Sequence, residues 1–259
     1  MANLTLLSDE ITNWIKDYAK KEGFSTLVIG VSGGVDSAVT STLCANTGLR
    51  TMALNMPIYQ DEGQYELSRK HIEWLESKWE NAEGHQVDLT RTFDNFCKED
   101  LKEQEISDLA LANTRARLRM TALYAIAGSN NGIVVGTGNK IEDFGIGFFT
   151  KYGDGGVDIS PIADLYKSEV YDLAKSLGVI MEIRESPPTD GLWVDGRTDE
   201  DQIGASYEEL EWAMKEVDSS SGGLLSKRQK EVLEVYEKLN RQNAHKMKEI
   251  PMFLFDRGP

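Results

Sequence analysis

Cysteine is scarce in this chain: Cys44 and Cys97 are the only two, far apart and with no C-x-x-C spacing. That count argues against a disulfide framework or a zinc site, and a reducing compartment fits it. Basic residues are also few, 28 against 43 acids, for a net charge of −15. Nucleic-acid binding leans on a basic surface, so no nucleic-acid partner is expected. An anionic small molecule is still admitted where cations are gathered locally or a metal ion helps. No apolar run approaches spanning length, and no membrane partner is expected. The opening "MANLTLLSDEITNWIKDYAKK" is too polar for a signal peptide and reads as an amphipathic helix. These absences point to a soluble, cytoplasmic protein.

What is present is an ordinary globular composition, 40% hydrophobic over 259 residues, enough for a sizeable core. Short β-rich runs alternate with helical stretches. "TLVIGV" (26–31), "TMALNM" (51–56), "HQVDL" (85–89) and "GIVVGT" (132–137) are the strand candidates. Between them lie helical patterns at 36–48, 61–79 and 106–130. Such alternation predicts an α/β fold, a Rossmann-like parallel sheet flanked by helices on both faces, with ligands at the strand-to-helix loops. A Pro-, Gly- and Asp-rich stretch at about 184–204 reads as a lid loop, and two helices follow it. One domain, 1–259, with a C-terminal helical tail is the simplest division.

The stretch "GVSGGVDS" (30–37) falls where a strand should end and a helix begin. It is either a capped turn or a phosphate cradle. Backbone N–H groups at a helix start, with Ser32 and Ser37 beside them, suit an anion. Gly33 and Gly34 let the backbone approach without an intervening Cβ. There is no G-K-[ST], so the loop is not a Walker A motif, and its spacing is not G-x-G-x-x-G.

"SGGVDS" resembles the S-G-G-x-D-S loop of the N-type ATP pyrophosphatases, adenine nucleotide alpha-hydrolase-like enzymes that split ATP into AMP and pyrophosphate. Further motifs follow in the order found in ammonia-dependent NAD synthetases: "NTRARLRM" (113–120), "GTGNKIEDFGIGFFTKYGDGGVDISP" (136–161), "LYKSEV" (165–170), "SPPTDGLW" (186–193) and "AHKMK" (244–248). "FFTKYGDGGVD" is the most discriminating of them. The resemblance runs from the first strand nearly to the C-terminus.

It implies ATP and deamido-NAD as substrates with Mg²⁺ as the metal. Asp36 and Glu142 match the magnesium carboxylates, hard oxygen ligands suited to that ion. Taken alone, Asp36 is equally a helix cap and Glu142 a solvated surface charge. Gly30, Val31, Ser32, Gly33, Gly34, Val35, Asp36 and Ser37 would hold the phosphates. Gln60, Thr137, Lys167 and Thr189 match further ATP contacts, Lys167 stabilising charge on the five-coordinate α-phosphate. Arg117, Lys151, Asp158, His245 and Lys246 match contacts to deamido-NAD. The last two would be reached from a folded-back or neighbouring-subunit tail. Asp154 is assigned, with Lys167, to catalysis, accepting a proton from ammonia. Arg115 and Arg119 are expected in structural or interface salt bridges. The family often carries an arginine shortly before Gln60, where this chain has Asn55.

The implied reaction is adenylation of the nicotinate carboxylate, followed by attack of ammonia on the acyl carbon. No covalent enzyme intermediate is required, which agrees with the lack of a convincing Cys/His nucleophile pair. A glutamine-dependent version needs an amidase domain ahead of the loop, and only 29 residues precede Gly30, so free ammonia is expected. The rival readings are another N-type pyrophosphatase, such as a GMP synthetase-like enzyme, and a silent nucleotide-binding protein. Retention of Asp36, Glu142, Lys151 and Lys167 together speaks against the silent one. A homodimer is implied, with the helix at 105–129 as the candidate interface.

Overall fold

The computed structural model describes residues 4–189, 198–219 and 224–255. Four strands form one parallel sheet: β1 (Thr26–Gly30), β2 (Arg50–Asn55), β3 (Ala82–Gln86) and β4 (Gly132–Val134), in the order β3-β2-β1-β4. Helix α1 (Leu4–Lys21) precedes the sheet. The crossovers are α2 (Val35–Asn46), α3 (Glu62–Lys78) and, before β4, the short α4 (Thr90–Asp94) and the long α5 (Asp108–Ser129). The winding runs outward from β1 to β3, then returns to the other side of β1 as β4. The two flanks of β1 therefore part at its carboxyl end, the point where open α/β sheets bind ligands.

Side-chain alternation along β1 covers both faces. Leu27 and Ile29 pack with α1 and α2, whereas Val28 joins Met52, Leu54 and Val134 under α5. Each fully buried aliphatic side chain of this set contributes about 1.5–3 kcal/mol relative to exposure. Past the sheet come α6 (Lys167–Ser176), α7 (Met181–Arg184), α8 (Asp199–Ile203), α9 (Tyr207–Ser219) and α10 (Lys227–Met247). Leu210, Met214 and Val232 from α9 and α10 build a second cluster against Ile141 and Ile146.

Three elements differ from the sequence expectation. The third strand is Ala82–Gln86 rather than 85–89, because this edge strand buries only Ala82 and carries no apolar alternation to mark it. A Cβ at Gly84 would collide with Ile72, so α3 lies directly on the strand there. The strand expected over 132–137 ends at Val134, and Val135 bridges to Ile159 instead. Within the expected lid, residues 199–203 form a helix capped by Thr198, and 190–197 lie outside the described residues. Among the described residues, no helix is long and apolar enough to cross a membrane.

Candidate active site

The β1–α2 loop is held by its own serines. Ser32 and Ser37 hydroxyls lie 3.1 Å apart, the Ser37 Oγ accepts from Ser32 N–H, and Ser32 Oγ accepts from Gly34 N–H. Gly33 has φ +95°, and a Cβ there would stand 2.6 Å from the Gln64 carbonyl oxygen. Only glycine meets both constraints. Gly34 caps α2 and brings no side-chain acceptor to it, an arrangement compatible with an anion at the helix start.

Asp36 does not cap the helix. Its Oδ2 accepts from Lys167 Nζ at 2.6 Å, and its Oδ1 from Asn139 at 3.2 Å. Glu142 Oε1 accepts from the same ammonium at 3.0 Å, and from the Tyr207 hydroxyl at 2.6 Å. Glu142 is therefore no solvated surface charge. It sits in a π-helical turn, Ile141–Ile146, whose first two N–H groups donate to Asn139 Oδ1 at 3.1 Å. Such turns add a residue to the helical repeat and here aim a carboxylate at the ammonium. Lys167 is 3% exposed and begins α6, where Glu211 accepts from both Ser168 N–H and Ser168 Oγ at 2.8 Å. Burial alone would lower the Lys167 pKa, but Asp36 and Glu142 outweigh it and hold the ammonium above its ordinary value. Burial raises Asp36 in spite of Lys167, while Lys167 and Tyr207 outweigh burial at Glu142 and lower it.

A cavity of about 660 Å³ opens above this knot, within the range of small-molecule sites. Gly30, Ser32, Gly34, Asp36 and Ser37 line one wall, with Val31, Val35, Gln60, Thr137 and Thr189 beside them. Arg117, Lys151, Asp154, His245 and Lys246 line the other. In an acidic chain, the lining sets five Lys and Arg side chains beside five carboxylates. The C-terminal residues arrive from the same chain: Asn240, Asn243 and Lys246 on α10 donate to the carbonyls of Gly145, Ile146 and Phe149. Lys151 Nζ donates to the His245 carbonyl at 3.0 Å, closing the contact from the other side.

Two expected residues are not brought to the cavity lining. Gly33 lies under the loop, against α3. Asp158 spends both oxygens on the fold, accepting from Val134 N–H at 2.7 Å and Tyr124 Oη at 3.0 Å, so β4 and α5 hold it away. Arg119 also departs from expectation. Among the described residues it makes no salt bridge, and it turns into the cavity instead.

Asp154 accepts from Thr150 N–H at 3.0 Å, and Thr150 Oγ1 ties the loop to Asn113 on α5. Burial raises the Asp154 pKa. Asp143, unremarked in the sequence, also lines the cavity and is pushed up to about 8 by burial and by Glu142, Asp154 and Asp36. Its folded pKa lies above the unfolded 3.8, so its contribution to stability declines from about pH 4 to about pH 8. Asp143→Asn, neutral throughout, is expected to melt higher than the wild type near pH 8, with the gap closing toward pH 4. Melting curves across that interval check it; a gap that widens on acidification contradicts it.

The donor set fits a hard divalent ion. Asp36 and Glu142 converge on one cation already, the Lys167 ammonium, and two carboxylates completed by phosphate oxygens and water suit Mg²⁺. Among the described residues no group of three acidic, His or Cys side chains forms a complete metal site, so the remaining ligands would come from substrate.

A parallel sheet with a serine–glycine loop at its switch point, and no Walker lysine, defines the N-type ATP pyrophosphatase, or PP-loop, class. The chain belongs to the NAD synthase family, whose sequence model matches residues 7–250. The NH(3)-dependent NAD(+) synthetase of Finegoldia magna is 35% identical over 98% of both chains, and that of Archaeoglobus fulgidus 41% identical over 82% of this chain and 84% of its own. Among solved structures, an NMN synthetase from Francisella tularensis matches with TM-score 0.86 and 34% identity over 98% of this chain and 100% of its own. The NH3-dependent NAD synthetase of Campylobacter jejuni matches with TM-score 0.78 and 27% identity over 98% and 100%. Membership makes the chain an ATP-using ligase of NAD synthesis that forms a C–N bond.

Proposed function

We propose that the protein amidates deamido-NAD to NAD with free ammonia, splitting ATP into AMP and pyrophosphate. One observation carries the reading: a single cavity is lined by residues of the "SGGVDS" loop together with residues of the "TKYGDGG" loop, His245 and Lys246. ATP bound to the first set would present its α-phosphate to a carboxylate held by the second. The uncapped α2 terminus and the two serines retain pyrophosphate as it departs. Lys167 stabilises charge on the α-phosphate as the nicotinate oxygen attacks, a gain made in the transition state. Asp36 and Glu142 would hold Mg²⁺, which when bound would supply charge neutralisation on the phosphates. Arg117, Lys151, His245 and Lys246 position the dinucleotide, and Asp154 accepts the proton released when ammonia attacks. Much of the rate enhancement is positioning.

A second reading is favoured by the Francisella tularensis neighbour, an NMN synthetase: the same chemistry on nicotinate mononucleotide. Assaying both acceptors with Mg·ATP and ammonium separates the two. A higher kcat/KM with deamido-NAD supports the first reading, and a clear preference for the mononucleotide replaces it with the second. Amide formation from glutamine alone would overturn the donor. Cytoplasmic location and a homodimer complete the proposal. Helix α5 leaves Leu109 61% exposed and Tyr124 partly so on a long helix next to the cavity. Sedimentation is expected to give a dimer; a monomer with full activity contradicts it.

A further inference from the structure

Arg119 is the cation of the cavity that no assigned role uses. It projects from α5 and is half-buried, and among the described residues no carboxylate lies within ion-pair reach of it. Its Nε donates to the Met56 carbonyl at 2.9 Å and its Nη2 to Gln60 Oε1 at 3.0 Å. A guanidinium has five N–H donors, so the others are left for the cavity. Burial, with the charge of Arg115, holds its pKa down to about 10 although the Asp154 charge acts the other way. Both of its hydrogen-bond partners are neutral, so a cation kept this way in a binding cavity is suited to an anionic ligand.

The two acceptors are the ends of one loop. Met56 immediately follows β2, and Gln60 lies four residues further on. Between them Tyr59 has φ +50°, a backbone state that non-glycine residues seldom adopt, and its hydroxyl is fastened to Asp94 at 2.7 Å. Because β2 pairs directly with β1, this loop borders the phosphate loop. Asn55, the uncharged residue just before it, gives its amide to Ser68 Oγ, which donates in turn to the Val31 carbonyl.

We propose that Arg119 is a positioning and specificity residue for ATP: it clasps the 56–60 loop at both ends, sets the Gln60 amide for the purine, and presents its remaining donors to the nucleotide. This rests on the reading of ATP as substrate and says nothing of which acyl acceptor is used. The effect is expected on ATP because both hydrogen bonds of Arg119 go to the 56–60 loop and none to the loop proposed to hold the acceptor.

The test is calorimetric binding of Mg·ATP, with kinetics in parallel, for wild type, Arg119→Ala, Arg119→Lys, Gln60→Ala and the Arg119→Ala/Gln60→Ala double variant. Arg119→Ala is expected to weaken ATP binding by about 10-fold or more, the scale of lost hydrogen bonds to a charged group. The KM of the acyl acceptor stays within about two-fold. Arg119→Lys falls between, since one ammonium cannot span both acceptors in the guanidinium's geometry. The double variant is no weaker than the worse single one, because clasp and reader act as a unit. Discrimination of ATP from GTP falls with either single change. Unchanged ATP affinity in a folded Arg119→Lys and Arg119→Ala pair overturns the proposal, as does an equal loss for ATP and acceptor, or strict additivity. Binding is read without turnover, so a wild type that binds ATP but forms no amide fails the proposed function and leaves this inference standing.

Discussion

Asp36→Ala is expected to reduce kcat by about 10³-fold, the scale of removing one electrostatic contact from a developing charge, while leaving melting temperature unchanged or raised. The two halves of that result follow from one geometry. Asp36 is one of the two carboxylates converging on Lys167; its loss leaves Glu142 alone on the ammonium and, on the proposed function, would leave Mg²⁺ with one protein ligand. Yet burial raises the Asp36 pKa, with the Glu142 charge adding to it, so the ionised group is held in the fold at a net cost. Active sites store such unfavourable charge, and stability rises when it is removed. Steady-state kinetics and ligand-free melting on the same preparation check both halves. Activity within about ten-fold of wild type would remove Asp36 from the chemistry.

Lys167→Met should do the reverse to stability. It leaves Asp36 and Glu142 facing each other with Asn139 and Tyr207 as their remaining donors. Breaking a buried pair from one side costs about 3–5 kcal/mol, a fall in melting temperature on the order of 10 °C for a chain of this size. Turnover falls with it, since no cation then follows the α-phosphate charge. Without ATP, added Mg²⁺ is expected to raise the melting temperature of Lys167→Met more than that of the wild type, because the ion takes the vacated place between the carboxylates. Lowering the pH narrows the deficit as one carboxyl takes up a proton. Equal Mg²⁺ shifts in the two proteins would place the metal elsewhere.

What the sequence made legible is what lies close in the chain. "GVSGGVDS" is continuous, so a strand, a glycine turn and a helix start were visible together, and the parallel order of β1, β2 and β4 followed from the helices between them. The knot around Lys167 was legible only in its ends. Asp36 and Glu142 were named as a pair, but nothing local distinguishes the cap reading of Asp36 from its bond to a lysine 131 positions away. Asn139 lies inside "GTGNKIED" with nothing local to mark its bond to Asp36. Tyr207 and Glu211 sit in "SYEELEW", where helical periodicity shows an amphipathic helix and not which face meets the site. Their contacts to Glu142 and Ser168 depend on how α9 packs against α6 and the π-helical turn, a tertiary fact with no short-range signal. Asp158 differs in the opposite direction: it follows the glycine-rich loop in sequence, yet its carboxylate accepts from Val134 N–H of β4 and the Tyr124 hydroxyl of α5. The tail around His245 had two admissible routes, and α10 takes the one within its own chain through three carbonyls of the π-helical segment and the strand of loop after it.

On the proposed function the loop serves attack at the α-phosphate, with the acceptor carboxylate as nucleophile. Acceptor labelled with ¹⁸O in its carboxylate, turned over with Mg·ATP and ammonium, tests this directly. Attack at the α-phosphate makes a carboxylate oxygen the bridge of the adenylate, and expulsion of AMP by ammonia carries that oxygen away. One ¹⁸O in each AMP, with unlabelled pyrophosphate, is the predicted result. ¹⁸O in inorganic phosphate, with ADP as the nucleotide product, would contradict it.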